Sequence, residues 1–232
     1  MVTSPASRVP DRLPFEWLGG RLCLDFVNTV SWGGVERRNE RLQSYGDLIR
    51  WAREAGLLTP TAAARLTRAA EAAPARAARA LADAHALREA LHQVFAARAA
   101  GRAPPSDAAA TLNRFLGRAL GRLRLRAAAD GCSWTFPEES DEPDRVLWPV
   151  AWSAAELLTS DDAGAIRMCA GERCGWLFLD RSRNRSRRWC DMRVCGNAAK
   201  VRRFYARRKA VSEAARQSEG SAEPRGSPPA EG

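Results

Sequence analysis

Four cysteines, set in two pairs of equal spacing, constrain this chain more than any other feature of it. The first pair is Cys169-Ala-Gly-Glu-Arg-Cys174 and the second Cys190-Asp-Met-Arg-Val-Cys195, with fifteen residues between them. At this spacing four thiolates close a tetrahedral zinc site, because each pair forms a knuckle whose tight turn aims two sulfurs at one point. Gly171, Gly175 and Gly196 supply the backbone freedom such turns need. Four sulfurs fill the tetrahedral shell. The expected cofactor is therefore one structural Zn2+, ligated by Cys169, Cys174, Cys190 and Cys195, with no open position for water or substrate.

The charge of the chain is concentrated around the same cysteines. Its 232 residues carry a net charge of +10, yet residues 1–165 hold 21 arginines against 20 acids, while residues 166–232 hold 16 basic residues against 7 acids. A positive excess confined to one small module fits a polyanionic partner, most often nucleic acid. The loop Asp180-Arg-Ser-Arg-Asn-Arg-Ser-Arg-Arg188 leads this argument. If extended, it projects Arg181, Arg183, Arg185 and Arg187 to one side at roughly the phosphate repeat, with Arg188 following. After Cys195, Ala198, Val201, Phe204 and Tyr205 recur at helical spacing while Lys200, Arg202, Arg203 and Arg207 take other faces. These nine basic residues are the candidate nucleic-acid contacts, and Trp189 reads as a core residue beside the metal.

The run from Cys174-Gly-Trp-Leu-Phe-Leu to Trp189-Cys190-Asp-Met, with Cys195-Gly196-Asn197 after it, resembles the CGNR-type zinc finger. Upstream, Leu24-Asp-Phe-Val-Asn-Thr29 resembles the opening motif of the ABATE domain, which precedes such fingers in a family named for an inferred role as bacterial stress-induced transcription regulators. The residue patterns read as an α+β fold, with a mostly helical N-terminal domain containing a β-hairpin, and the order knuckle, hairpin, knuckle and helix is that of a small treble-clef-like finger at the C-terminus. The resemblance agrees with this fold and implies a role in transcription. Ala198 stands where the finger's signature has arginine, a loss that Lys200 or Arg202 could make good.

The segments follow from local signals. Residues 1–13 are expected to be disordered, 14–160 to form the helical domain, 161–165 a linker, 166–214 the finger with its basic helix, and 215–232 a disordered tail. Within the domain, a short buried helix is expected over Arg21–Val30. Ser44 with Asp47, and Thr59-Pro60, mark helix starts. A long helix runs from Pro74 to about Ala100, and another from Ser106 to about Leu120. A hairpin turning at Asp130-Gly131 should face Leu123, Leu125, Trp134 and Phe136 to the core, leaving Arg122, Arg124 and Arg126 solvated. An apolar helix follows from Val146 to Leu158.

Several residues that could be taken for site chemistry read better as structure. Asp25 and Asn28 are polar groups in an apolar element and fit caps or loop contacts better than ligand contacts. His85 and His92, seven apart on one helix, lie about 10 Å from each other along its axis and read as ordinary half-buried histidines. Cys23 and Cys132 fall outside the cluster and read as inert.

No run of about 18 uncharged apolar residues occurs, and the first residues lack the apolar core of a secretion signal. The expected location is cytoplasmic and nucleoid-associated, a compartment in which clustered cysteines bind metal rather than pair as disulfides. With neither paired carboxylates nor a nucleophile beside a base, the chain is expected not to be an enzyme. The expected function is DNA binding in transcription regulation, with an N-terminal domain that senses a small molecule or mediates assembly, and with a homodimer to give a single small finger useful specificity. Three alternatives stay open: binding of RNA or the ribosome, protein docking through Trp176 or Phe178, and thiol redox sensing.

Overall fold

The computed structural model describes residues 13–33, 39–129 and 131–220. The chain divides into two compact units, Met1–Cys190 and Asp191–Gly232.

The first unit is helical. Its elements are α1 (Leu22–Val27), α2 (Tyr45–Glu54), α3 (Pro60–Ala72), α4 (Pro74–Ala99), α5 (Ser106–Arg122) and α6 (Leu147–Thr159), with two antiparallel hairpins. One hairpin pairs β1 (Arg124–Ala128) with β2 (Gly131–Thr135), and the other pairs β3 (Ile166–Met168) with β4 (Leu177–Leu179). Local chemistry sets most of the boundaries. Ser44 and Asp47 exchange hydrogen bonds in a capping box at the start of α2, and Gly56, at φ 74°, lies just beyond its end. Thr59 caps α3 by accepting from the Ala62 N–H, with Pro60 in the first turn. Pro149 falls in the first turn of α6, where its missing N–H costs nothing, so the helix does not need to bend there.

Helix α4 is the spine. It packs on α1, α2, α3, α5 and α6 and on both strands of the second hairpin, and it buries Leu87, Leu91 and Phe95 completely. Burying each such side chain is worth about 1.5–3 kcal/mol, which outweighs the weak amphipathicity of so alanine-rich a helix. A charge on α4 itself lies inside this packing. The Arg88 guanidinium, buried beside α1, donates to Glu40 Oε1 at 2.7 Å and to Thr29 Oγ1 at 2.9 Å, and also bonds Glu40 Oε2. Burial alone would raise the Glu40 pKa, but these Arg88 contacts outweigh it and hold the carboxylate below its usual range.

The structure departs from the sequence expectations in four places. Leu125 and Trp134 are direct cross-strand partners, but both are exposed. Alternation fixed which side chains share a face of the β1–β2 ribbon; that face meets the core only at its base, where Phe136 packs against the main cluster, and not at Leu125 and Trp134. Asp130 of its turn lies outside the described residues. The expected linker, 161–165, is instead a 3-10 turn, Asp161–Ala165, with Ala163 and Ala165 buried. The helix of the second unit, α7 (Asn197–Gly220), runs past residue 214 into the expected tail, whose residues 221–232 lie outside the description. Finally, the expected finger, 166–214, does not begin as a segment separate from the helical domain. Ile166, Leu177 and Leu179 of the second hairpin are buried in the main cluster with Leu24, Leu87 and Leu91.

Candidate metal centre and arginine loop

The first knuckle is built into the helical domain by residues of the Leu24–Thr29 motif and the turn that follows it. Asn28 Nδ2 donates to Leu177 O at 2.8 Å, and the Leu177 N–H donates back to Asn28 Oδ1 at 3.0 Å, all in the buried interior. Trp176 Nε1 donates to Val30 O at 2.8 Å. The N–H groups of Trp32 and Gly33 both point at Cys174 O, at 2.9 and 3.2 Å. This approach requires glycine on both sides. A Cβ on Gly33 would lie 2.6 Å from Glu172 O, and one on Gly175, which sits at φ 66°, would lie 2.7 Å from the Trp32 Cβ. The Trp32 ring stacks on His92 with centroids 3.7 Å apart, and His92 Nε2 lies 3.3 Å from Gly175 O. His92 is thus a structural contact of the knuckle, and His85, whose Nε2 lies 2.9 Å from Leu42 O, is likewise structural.

The four predicted ligands converge. One sulfur from each of Cys169, Cys174, Cys190 and Cys195 lies within 4.8 Å of all the others, and Cys174 and Cys190 Sγ are 3.5 Å apart. Four sulfurs at about 2.3 Å from one ion would stand about 3.8 Å from each other, so the donor set fits a tetrahedral zinc. Backbone N–H groups face the sulfurs as a knuckle requires: Gly171 N and Cys190 N donate to Cys169 Sγ at 3.4 and 3.3 Å. Sulfurs packed this closely cannot all carry negative charge without a cation, and Zn2+ supplies it. Among the described residues this is the one cluster of metal-binding side chains.

The arginine loop is folded, not extended. Asp180, itself buried, accepts from Ser182 N at 3.0 Å, Ser182 Oγ at 2.6 Å and Arg187 N at 2.9 Å. Burial would raise its pKa, but the Ser182 and Arg187 hydrogen bonds, with Arg167 nearby, hold the carboxylate below its usual range. Arg185 N closes a turn on Ser182 O at 3.0 Å, and Arg185 adopts φ 48°, the left-handed region that costs a non-glycine residue about 1–2 kcal/mol. Strict alternation of Arg181, Arg183, Arg185 and Arg187 to one side therefore does not occur.

The structure sorts these arginines by their partners. Arg187 works for the fold: its guanidinium lies over the Phe178 ring at 4.4 Å, donates to Trp189 O at 2.9 Å and also bonds Cys190 O. Arg181 Nη2 donates to Asp162 Oδ2 at 3.2 Å. Arg183, Arg185 and Arg188 are exposed, with Arg188 over the Trp189 ring. Sequence reasoning missed Asp180 as the organiser of the loop, although an Asp two residues ahead of a Ser is the usual signal for such a turn.

The second unit opens with Asp191 accepting from the Arg193 N–H, then a π-type turn, Met192–Gly196, and α7. Gly196 is required by packing, since a Cβ there would lie 2.3 Å from the Met192 sulfur. Lys200, Arg202, Arg203 and Arg207 are all exposed on α7, and so are Val201, Phe204, Tyr205 and Val211.

A helical domain carrying a hairpin, followed by a tetrathiolate knuckle–hairpin–knuckle–helix module, defines a zinc-finger protein of two-domain type. Comparison with known families names that type. Residues 20–161 match the ABATE family, described as "Putative stress-induced transcription regulator", and residues 166–208 match the CGNR zinc finger. The chain belongs to the ABATE family and carries its finger. No curated protein matches the chain. No helix among the described residues is long and apolar enough to cross a membrane.

Proposed function

We propose that the protein binds DNA through its zinc finger and regulates transcription. The observation that carries this reading is the loop 180–188. Its backbone is fixed by a buried aspartate and by the knuckle, while Arg183, Arg185 and Arg188 stay exposed. A folded loop presents guanidiniums to phosphates at a lower entropic cost than a mobile one, and guanidinium forks match both phosphate oxygens and guanine edges. Lys200, Arg202, Arg203 and Arg207 on α7 add a second basic element. Zinc would hold the finger and take no part in chemistry, because four thiolates complete its shell and leave no open position. The match to a transcription-regulator family supports the same reading.

The test is selection of genomic DNA fragments by the zinc-loaded protein, followed by competition with duplex RNA. Enriched fragments sharing a site, and resistance to RNA competition, are the expected result. Equal or better competition by RNA would replace DNA with RNA as the partner, since A-form helices present a different groove.

A further inference from the structure

Arg21, at the N-terminal end of α1, and Arg181, in the arginine loop, come from elements 160 residues apart in sequence, yet their guanidiniums meet on one atom. Arg21 Nη2 and Arg181 Nη2 lie 3.1 and 3.2 Å from the same oxygen, Asp162 Oδ2. Asp162 sits in the 3-10 turn Asp161–Ala165, between the helical domain and the finger's first strand. Arg21 is the N-cap residue of α1, but its side chain takes no part in capping, so local structure does not account for where its guanidinium points.

Two guanidiniums converging on one oxygen make the arrangement that grips a phosphate oxygen. Here a carboxylate occupies that place. All three side chains keep water contact, with relative exposures of 42% for Arg21, 60% for Arg181 and 37% for Asp162. Ion pairs this exposed are weak and open readily. A phosphodiester carries the same charge as the carboxylate and can take its place, leaving Asp162 to swing into solvent. Further guanidinium groups stand near: Arg98 Nη2 reaches within 4.0 Å of the position of a Cβ on Gly164, and Arg167 binds Gly164 O at 2.9 Å.

The geometry points to Arg21 and Arg181 as a phosphate clamp for a nucleic-acid backbone, with Asp162 as the internal competitor that fills it in the free protein. This rests on the DNA reading above and extends the contact surface from the finger onto the helical domain. The competitor lowers affinity for any single phosphate, so that contacts elsewhere on the finger must join before the clamp opens.

The experiment measures binding of the full-length zinc-loaded protein to a labelled DNA duplex across a salt series, comparing wild type with Arg21→Ala, Asp162→Asn, Asp161→Asn and Arg124→Ala. Asp161→Asn changes net charge as Asp162→Asn does but removes no clamp partner, and Arg124→Ala removes an arginine whose guanidinium bonds Gly121 O and Leu123 O, not Asp162. Arg21→Ala should weaken binding about threefold to tenfold and reduce the log–log salt slope by about 1, the value for one lost phosphate, while Arg124→Ala does neither. Asp162→Asn should tighten binding by a similar factor and Asp161→Asn by clearly less. The clamp alone is overturned if wild type binds DNA but Arg21→Ala behaves like Arg124→Ala, or if the two aspartate variants tighten binding equally. Absence of wild-type binding at the lowest salt would instead overturn the DNA reading and the clamp with it.

Discussion

Asn28 and Leu177 are 149 residues apart in sequence and joined by a pair of hydrogen bonds, the side-chain amide of one answering both backbone groups of the other. An amide is the one side chain that offers a donor and an acceptor side by side, so it can pair with a strand residue as another strand would. Through it, the opening motif of the helical domain serves as a third edge for the finger's hairpin.

Asn28→Ala should be among the most damaging single changes in the chain. It leaves the buried Leu177 N–H and C=O without partners, at a cost of about 2–5 kcal/mol in all. Urea unfolding of the zinc-loaded protein measures it. A midpoint unchanged from wild type would mean that the pair carries no stability. Asn28→Asp should be as harmful, because a carboxylate cannot donate to Leu177 O.

Gly175→Ala should destabilise the knuckle through two routes that add: a left-handed φ, and a Cβ driven into Trp32. About 2–4 kcal/mol is expected, with faster loss of zinc to a chelator. Gly56→Ala, at a similar φ but with open space around it, provides the comparison and should cost about 1–2 kcal/mol without changing zinc release.

Arg187 and Arg183 should separate cleanly despite their similar sequence surroundings. Arg187→Ala removes the contacts to Phe178, Trp189 O and Cys190 O, and should lower the melting temperature by several degrees. Arg183→Ala should leave melting unchanged and weaken DNA binding. If both variants melt like wild type, Arg187 is not structural.

Asp25 gives the domain a pH dependence of its own. Burial pushes its carboxyl from 3.8 to about 6, against a single opposing hydrogen bond from Gly19 N at 2.8 Å. A folded-state pKa above the unfolded one favours folding at low pH, and the benefit is lost as pH rises through about 6. Asp25→Asn keeps the acceptor for Gly19 and never ionises. It should be more stable than wild type by up to about 3 kcal/mol near pH 7.5, with the gap closing as pH falls toward about 4. Comparing the two proteins at each pH cancels the proton uptake that both share at the zinc thiolates. A constant gap would assign the difference to something other than ionisation.

The sequence made the metal site legible because ligand spacing is a local property: the two equal cysteine pairs name all four sulfurs, and helix caps such as Ser44 and Thr59 name their own boundaries. What it hid was tertiary. Alternation placed Leu125 and Trp134 on one face of a ribbon but could not say that these two look outward. A change in composition at 161–165 suggested a linker, yet Ala163 and Ala165 are buried and the next strand enters the helical core. Arg181, Arg183, Arg185 and Arg187 look alike in the sequence. Only the positions of Asp162, Phe178 and Asp180 show that Arg181 is held in a pair, that Arg187 is spent on the fold, and that the loop turns.

The most direct test of the central claim, that a zinc-held arginine surface binds DNA, is the salt dependence of duplex binding by the zinc-loaded protein and by an Arg183→Ala/Arg185→Ala/Arg188→Ala variant. The account expects a wild-type log–log slope of about −4 to −6, reduced in magnitude by about 2–3 in the variant, as roughly three lost phosphate contacts require. A variant that binds with the wild-type slope, or a wild-type protein that binds no DNA at low salt, would contradict it.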